Sequence, residues 1–351
     1  MTDMDLTKIL KNHKKWLVCL PNHRLSCKVS YLCTTIKVMR HIACFFSLCL
    51  FFCLTARGQE SQQDYNFLRL PVSAHAAGLG GENISLIEDD ASLMFTNPAL
   101  ASSVSDKTIN LNFMTYMSGS VMGSASYTKV VGKRSTLGLA AQYINYGKIK
   151  QRDVDNNDLG EFTANDMAFS GIFAYSLTDR LVGGITAKAI YSHIGGYNSF
   201  AMGVDLGLNY FDSDKDFSAS LVARNLGGQL KAYDDTYEAI PFMMELGLTK
   251  RLKGAPLRPS LTFIDITDWE YKDFLDHIVI GTDILIGESF YLCAAYNFKR
   301  AEMMKLADGG SHGAGLSFGA GLQLKRFKLN LAYAKYHVSS TSLLANISFN
   351  L

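Results

Sequence analysis

The chain has 351 residues, with 34 Lys and Arg against 32 Asp and Glu and a formal net charge of +2. Nine of those basic residues but only two of the acids fall in residues 1–58, so the remainder holds 25 basic and 30 acidic residues, a net charge of −5. That balance excludes a basic nucleic-acid-binding stripe, and because six of the seven cysteines also precede residue 58, the single remaining Cys293 excludes an intrachain disulfide.

Lys37 and Arg40 precede an apolar run from Ile42 to Leu54, followed by the small residues Ala56 and Gly58. This is the order of a secretory signal cleaved after Gly58. The run is shorter than the roughly 20 apolar residues a membrane-spanning helix needs. Residues 1–38 read as an over-long gene start, with Met39 as the initiator. Cys53 follows Phe52, and so bulky a residue argues against lipoprotein processing.

Residues 59–107 do not alternate. They carry Ala74, Ala76, Ala77, Gly78, Gly80 and Gly81, then the acids Glu88, Asp89 and Asp90, then Phe95 to Ala101. The wide lumen of a barrel accommodates such a segment as a hatch; the alternative is a periplasmic tail.

From residue 108 onward the apolar pattern has a period of two, the signature of strands with two different faces. Met202, Val204, Leu206, Leu208 and Tyr210 share one face, while Gly203, Asp205, Gly207 and Asn209 share the other. Leu343, Ala345, Ile347, Phe349 and Leu351 likewise oppose Leu344, Asn346, Ser348 and Asn350. The pattern predicts strands near 108–117, 120–130, 135–146, 166–177, 181–193, 199–211, 216–225, 241–252, 257–267, 277–286, 290–298, 315–324, 327–336 and 342–351. Most reach the roughly 9 to 11 residues that a tilted strand needs to cross hydrocarbon. Strands of a soluble sandwich, the competing reading, are nearer 5 or 6 residues.

Short connections such as Lys133–Arg134, Thr178–Arg180 and Lys325–Arg326 alternate with the longer, charged 147–165, 226–240, 268–276 and 299–313. Bacterial barrels place tight turns in the periplasm and long loops outside, which puts both termini on the periplasmic side. The fold class expected is therefore all-β: a transmembrane antiparallel β-barrel of about 14 strands over 108–351, with an N-terminal hatch segment, 59–107, in the lumen. Lipid cannot satisfy an open sheet edge, so the wall must close.

Asp205, Glu245, Asp283, Lys188 and Arg224 fall on the polar faces of their strands. They are expected to pair with one another and with the hatch, or to be wetted by lumen water. Tyr127, Tyr143, Tyr175, Tyr210, Tyr296 and Tyr333 lie near strand ends, where a ring suits the headgroup region. Met303, Met304 and Leu306 break the polarity of the outer loops and read as a partner contact or a ligand patch.

Chemistry is sparse. Asp153, Asp155 and Asn157 place oxygens at alternate positions, but an EF-hand loop wants Gly where Asp158 stands. His75, His193, His277, His312 and His337 are scattered, no cysteine accompanies them at zinc spacing, and no Gly-x-Ser-x-Gly elbow occurs. No catalytic residue, metal or cofactor is expected.

Asn97-Pro98-Ala99, preceded by Ala77-Gly78 and by Asp89-Asp90-Ala91-Ser92, resembles the N-terminal signature shared by the long-chain fatty acid transporter (FadL-like) barrels and the PorV/PorQ family of the type IX secretion system. The opening from Phe67 to Gly81 is most similar to the PorQ branch, and the resemblance covers roughly residues 60–351. It implies a non-enzymatic outer-membrane member of the cargo attachment complex. The implied partners are a PorZ-like surface protein, the sortase PorU, the shuttle PorV and outer-membrane lipopolysaccharide. The alternative it leaves open is a FadL-like transporter of hydrophobic compounds. Many outer-membrane barrels end in an aromatic residue, whereas here Phe349 is followed by Asn350 and Leu351.

Overall fold

The computed structural model describes residues 65–351 apart from 154, 156, 269–270 and 306–312. The signal peptide, the proposed initiator and the cleavage site lie outside the described residues, as do His312 and Leu306. The described residues form one compact unit.

Fourteen strands follow in order: β1 (Thr108–Thr115), β2 (Val121–Val131), β3 (Ser135–Arg152), β4 (Asp158–Ser176), β5 (Leu181–Ile194), β6 (Tyr197–Asp212), β7 (Phe217–Lys231), β8 (Met243–Lys250), β9 (Leu257–Phe263), β10 (Ile278–Ile286), β11 (Phe290–Asn297), β12 (Leu316–Gln323), β13 (Phe327–His337) and β14 (Ser340–Asn350). Each pairs antiparallel with its sequence neighbours, and β1 closes on β14 from Thr108↔Asn350 to Met114↔Leu344. Closure removes the edges that lipid could not satisfy.

The period-two pattern decides which way each side chain faces. Leu111, Leu139, Phe169, Leu331 and Leu343 point outward and are more than half exposed, a girdle that only hydrocarbon covers without cost. No helix among the described residues is long and apolar enough to cross a membrane.

The connections sort onto two rims. One rim carries the short turns 132–134, 177–180, 213–216, 251–256, 287–289 and 324–326; the other carries every longer connection, including 232–242, 264–277 and 298–315. A difference from the sequence reading lies between β3 and β4. The stretch 147–165 is mostly strand, pairing from Lys148↔Thr163 to Arg152↔Asp158, so the two strands continue past their neighbours as a ribbon. Beyond the membrane both faces of a strand are wet, and alternation no longer marks it. The opposite extreme is the β8–β9 seam, which holds only four residue pairs.

Residues 65–106 run through the lumen from rim to rim. Tyr65 lies at the long-loop rim beside the start of β6 and the end of β7, while Asp106 accepts a bond from the Val130 amide at the short-turn end of β2. The barrel's own ends, Thr108 and Asn350, are at the short-turn rim as expected, but the first described residue is at the other.

The inward face is also drier than expected. In the half nearer the long loops, Met114, Met122, Ile144, Ile190 and Leu344 point inward and pack with Phe67, Leu68 and Val72 of the hatch into a continuous core.

Candidate functional site

The hatch is built from single turns, each started by a side chain that caps it. Ser73 caps α1 (Ala74–Gly78), Asp90 accepts from the Ser92 amide at 2.9 Å, and Asn97 accepts from the Ala99 amide at 3.0 Å with Pro98 in the first position of its turn. Asn and Asp suit that position because their oxygens replace a missing backbone partner, and Pro suits the next because it has no amide to satisfy. The Asn97 Nδ2 also donates to the Ile84 carbonyl at 2.9 Å, tying two stretches of the hatch together. This is what the Asn-Pro-Ala tripeptide does here.

The tripeptide has a fitted seat in the wall. A Cβ on Gly184 would lie 2.3 Å from the Ala99 amide nitrogen, and one on Gly207 would lie 2.2 Å from Asn97 Oδ1. Only glycine lets the hatch backbone come so close. Gly247 makes room for the Ile84 side chain, and Gly78 and Gly319 together enclose the thiol of Cys293. Asn97→Ala is expected to lower stability by about 1 kcal/mol for the lost cap, read as a shift in the urea midpoint of detergent-folded protein. Asn97→Asp, which keeps the cap but turns a carboxylate oxygen toward the buried Ile84 carbonyl 2.9 Å away, should cost more than Asn97→Ala.

Charges lock the hatch to the wall. Arg258 on β9 forks between Asp283 Oδ2 at 2.8 Å and Glu88 Oε1 at 2.6 Å. His75 lies between the same two acids, with Nδ1 2.7 Å from Glu88 and Nε2 2.8 Å from Asp283. The four groups close a ring of alternating charge. Carboxylates only accept, so both imidazole nitrogens must donate and the ring is the imidazolium. Tyr291 stacks beneath it, with centroids 3.8 Å apart and planes 12° apart.

Two further groups involve the sequence candidates. Arg224 Nη2 meets Glu82 of the hatch at 2.8 Å and Glu245 at 2.6 Å. Lys188 meets Asp205 at 2.7 Å and Asn225 Oδ1 at 2.8 Å, within the wall. Asn225 has φ 60 at a bulge in β7, and its amide donates to Asp205. Finally, Lys328 holds Asp89 at 2.5 Å, and Asn110 donates to Asp90 at 3.1 Å. All five inward charges singled out in the sequence are thus buried and paired, and Asp283, Arg224 and Glu245 belong to groups that include hatch residues.

Sequence reasoning missed His75, Glu82, Glu88, Arg258 and Lys328. A signal was present for two of them. Arg258 has the inward parity of Ser260 and Thr262, and Lys328 that of Asn330, while the hatch supplies unmatched acids.

Aromatic residues gather at the long-loop end of the lumen. Tyr65 stacks near Tyr233, with centroids 6.4 Å apart, and bonds Ser199; Tyr146 donates to Asp166 at 2.7 Å. Arg300, from α2 (Phe298–Met303), donates to the carbonyls of Ala314, Gly315 and Gly80 and lies 4.8 Å over the Tyr336 ring. It pins the 298–315 connection onto the hatch. Met303 is exposed there and Met304 half-buried.

His75, Asp283 and Cys293 bring ligand-type atoms within 4.8 Å of one another. With both His75 nitrogens donating to carboxylates, no lone pair is free for a metal, and His75 and Asp283 belong to the charge ring. In the acidic loop, Asp153 turns inward to accept from the amides of Asp155 and Asn157 and from the Asn157 side chain. Those Asn157 bonds hold its carboxyl below the ordinary aspartate value. His193 and His337 lie at the long-loop rim and bond only Asn198 and Ser339 among the partners seen. A cavity of about 20 Å³ lies between Leu68, Phe95, Gln142, Lys188 and Arg224, space for one water.

No protein-family model matches the chain, and the search of curated proteins gave no match. Solved structures do resemble it. The monoaromatic hydrocarbon channel CymD is similar over 80% of this chain and 97% of its own, with 13% identity and a TM-score of 0.51. A TodX deltaS2S3 mutant monoaromatic hydrocarbon channel is similar over 79% and 98%, with 12% identity and a TM-score of 0.50. At such identity the likeness is one of fold: a closed fourteen-stranded barrel of outer-membrane type.

Proposed function

We propose that this protein is a sealed outer-membrane barrel of the type IX secretion system that holds a PorZ-like surface protein, in an attachment complex with the sortase PorU, the shuttle PorV and lipopolysaccharide. The observation that carries this reading is the filled lumen: an apolar core toward the outside, and below it a hatch fixed to the wall by buried ion pairs and glycine seats. A passage through such a barrel requires several buried charges to part, each at a cost of several kcal/mol. A scaffold requires none of that. The reading is non-enzymatic, and the docking surface it uses is the long-loop rim, with the β3–β4 ribbon and exposed Met303.

Removing residues 153–157 and 232–240 together is expected to release the surface partner into the medium while the barrel remains in the membrane fraction with its heat-modifiable mobility. Undiminished attachment would sink the scaffold reading.

A second reading is favoured by the fold likeness to the channels named above: passage of small apolar molecules after displacement of the hatch. Under that reading, deleting the gene slows uptake of a monoaromatic hydrocarbon. Under the scaffold reading uptake is unchanged and only surface attachment is lost.

A further inference from the structure

The outer surface of the wall is not evenly ridged. From β1 to β6, two neighbouring rows of outward side chains run along the hydrogen-bonding direction. One row pairs Ile109 with Tyr127, Tyr127 with Leu139, Leu139 with Gly171 and Gly171 with Ala187. The next pairs Ala125 with Ala141, Ala141 with Phe169, Phe169 with Ala189 and Ala189 with Met202. Bulk is staggered between the rows: Tyr127 and Leu139 stand beside Ala125 and Ala141, and Phe169 stands beside Gly171 and Ala187. The result is a trough of about 760 Å³ floored by alanine, glycine and bare strand backbone. Leu139, Phe169 and Met202, each at least half exposed, form its banks. A Cβ on Gly171 would meet nothing within 4 Å.

A walled trough in the hydrocarbon is filled only by something narrow, apolar and long, and its slope identifies the occupant. Ile109 lies next to Thr108 at the short-turn rim, whereas Met202 lies nearer the Tyr197 end of β6. From β1 to β6 the trough covers about 24 Å, at about 4.8 Å per strand. With strands tilted by about 40° it climbs roughly 15–20 Å. That is close to the depth of one leaflet, half of a hydrocarbon core about 30 Å thick. The low end is basic, because Lys107, Lys129, Lys133 and Arg134 are exposed there against Asp106. Tyr127, one step along β2 from Lys129, suits the boundary between chain and headgroup. We propose that the trough is a fixed seat for one acyl chain of a phospholipid of the periplasmic leaflet, with the lipid's anionic phosphate against the basic corner at the β2–β3 turn. The seat depends on the short-turn rim facing the periplasm and is independent of what the long-loop rim holds.

The test is native mass spectrometry of the barrel extracted in mild detergent, with dipalmitoyl phosphatidylglycerol added back as the probe. Gly171→Leu combined with Ala187→Leu fills the trough, while Ala294→Leu adds a leucine to the outward face of β11, away from it. Heat-modifiable mobility confirms that each variant is folded. The expected result is that wild type and Ala294→Leu carry one phospholipid through detergent exchange, and the double variant carries about tenfold less. Lys129→Gln combined with Lys133→Gln should lower phosphatidylglycerol occupancy severalfold. Equal retention by wild type and the filled trough, or retention by neither, refutes the seat. Lipopolysaccharide retained in place of phospholipid refutes the leaflet. Wild-type dimers that the double variant lacks give the trough to a second copy of the chain and overturn the proposal. Loss of the surface partner in loop-deletion variants bears on none of these outcomes, so the two proposals fail separately.

Discussion

Gly207→Leu is expected to be among the most destabilising single changes in the barrel, even though it adds an apolar side chain to a membrane protein. The new Cβ would lie 2.2 Å from Asn97 Oδ1 and 3.0 Å from the Pro98 ring, so the Asn97 turn must leave its seat. Overpacking alone costs about 1–3 kcal/mol. Losing the cap adds about 1 kcal/mol, and stranding buried polar groups adds about 1–3 kcal/mol. Gly184→Val should act alike, because backbone atoms of Pro98 and Ala99 stand within 2.4 Å of its Cβ position. Gly171→Val is the control: that glycine faces outward with nothing within 4 Å, so lipid should accept the added carbons. Urea unfolding of detergent-folded protein reads the stability, and limited proteolysis reads release of residues 65–107. A Gly207→Leu protein that unfolds like wild type with a protected hatch would refute the seat.

Arg224→Met is expected to cost about 3–5 kcal/mol, the usual penalty for removing one partner of a buried pair. It leaves Glu82 and Glu245 facing each other in a site where the arginine is 5% exposed and Glu245 2% exposed. Adding Glu82→Gln and Glu245→Gln to the same protein should recover a large part of the loss, because a neutral, hydrogen-bonding trio no longer carries uncompensated charge. Lys148→Ala provides the scale: its 3.4 Å pair with Glu161 is solvated on the ribbon and should change stability by less than about 1 kcal/mol. If all three changes shift the urea midpoint equally, the charges do not fasten the hatch.

The wall was legible in the amino-acid pattern because lipid imposes one polarity on every outward position. The expected 108–117 and 290–298 compare with Thr108–Thr115 and Phe290–Asn297. Legibility failed where that constraint lapses. The ribbon tips read as loop because water meets both faces of Lys148–Arg152. The drier half of the lumen did leave a trace: Leu343–Leu344 and Ile190–Tyr191 are consecutive apolar residues, which one wet face does not predict. The hatch contacts were beyond sequence reasoning for a different reason. Asn97 was visible as a motif, but its seat lies in strands roughly a hundred residues later, and a strand glycine reads equally as a bulge. His75 and Asp283 are 208 positions apart, so nothing local to either announced the other.

The seam between β1 and β14 also orders events in time. It joins Thr108 to Asn350, 242 positions apart, and so pairs the first strand of the wall with the fourteenth. Contacts of such separation form slowly. The cylinder is therefore expected to zip along this seam last, around a filling whose charged groups it seals from water.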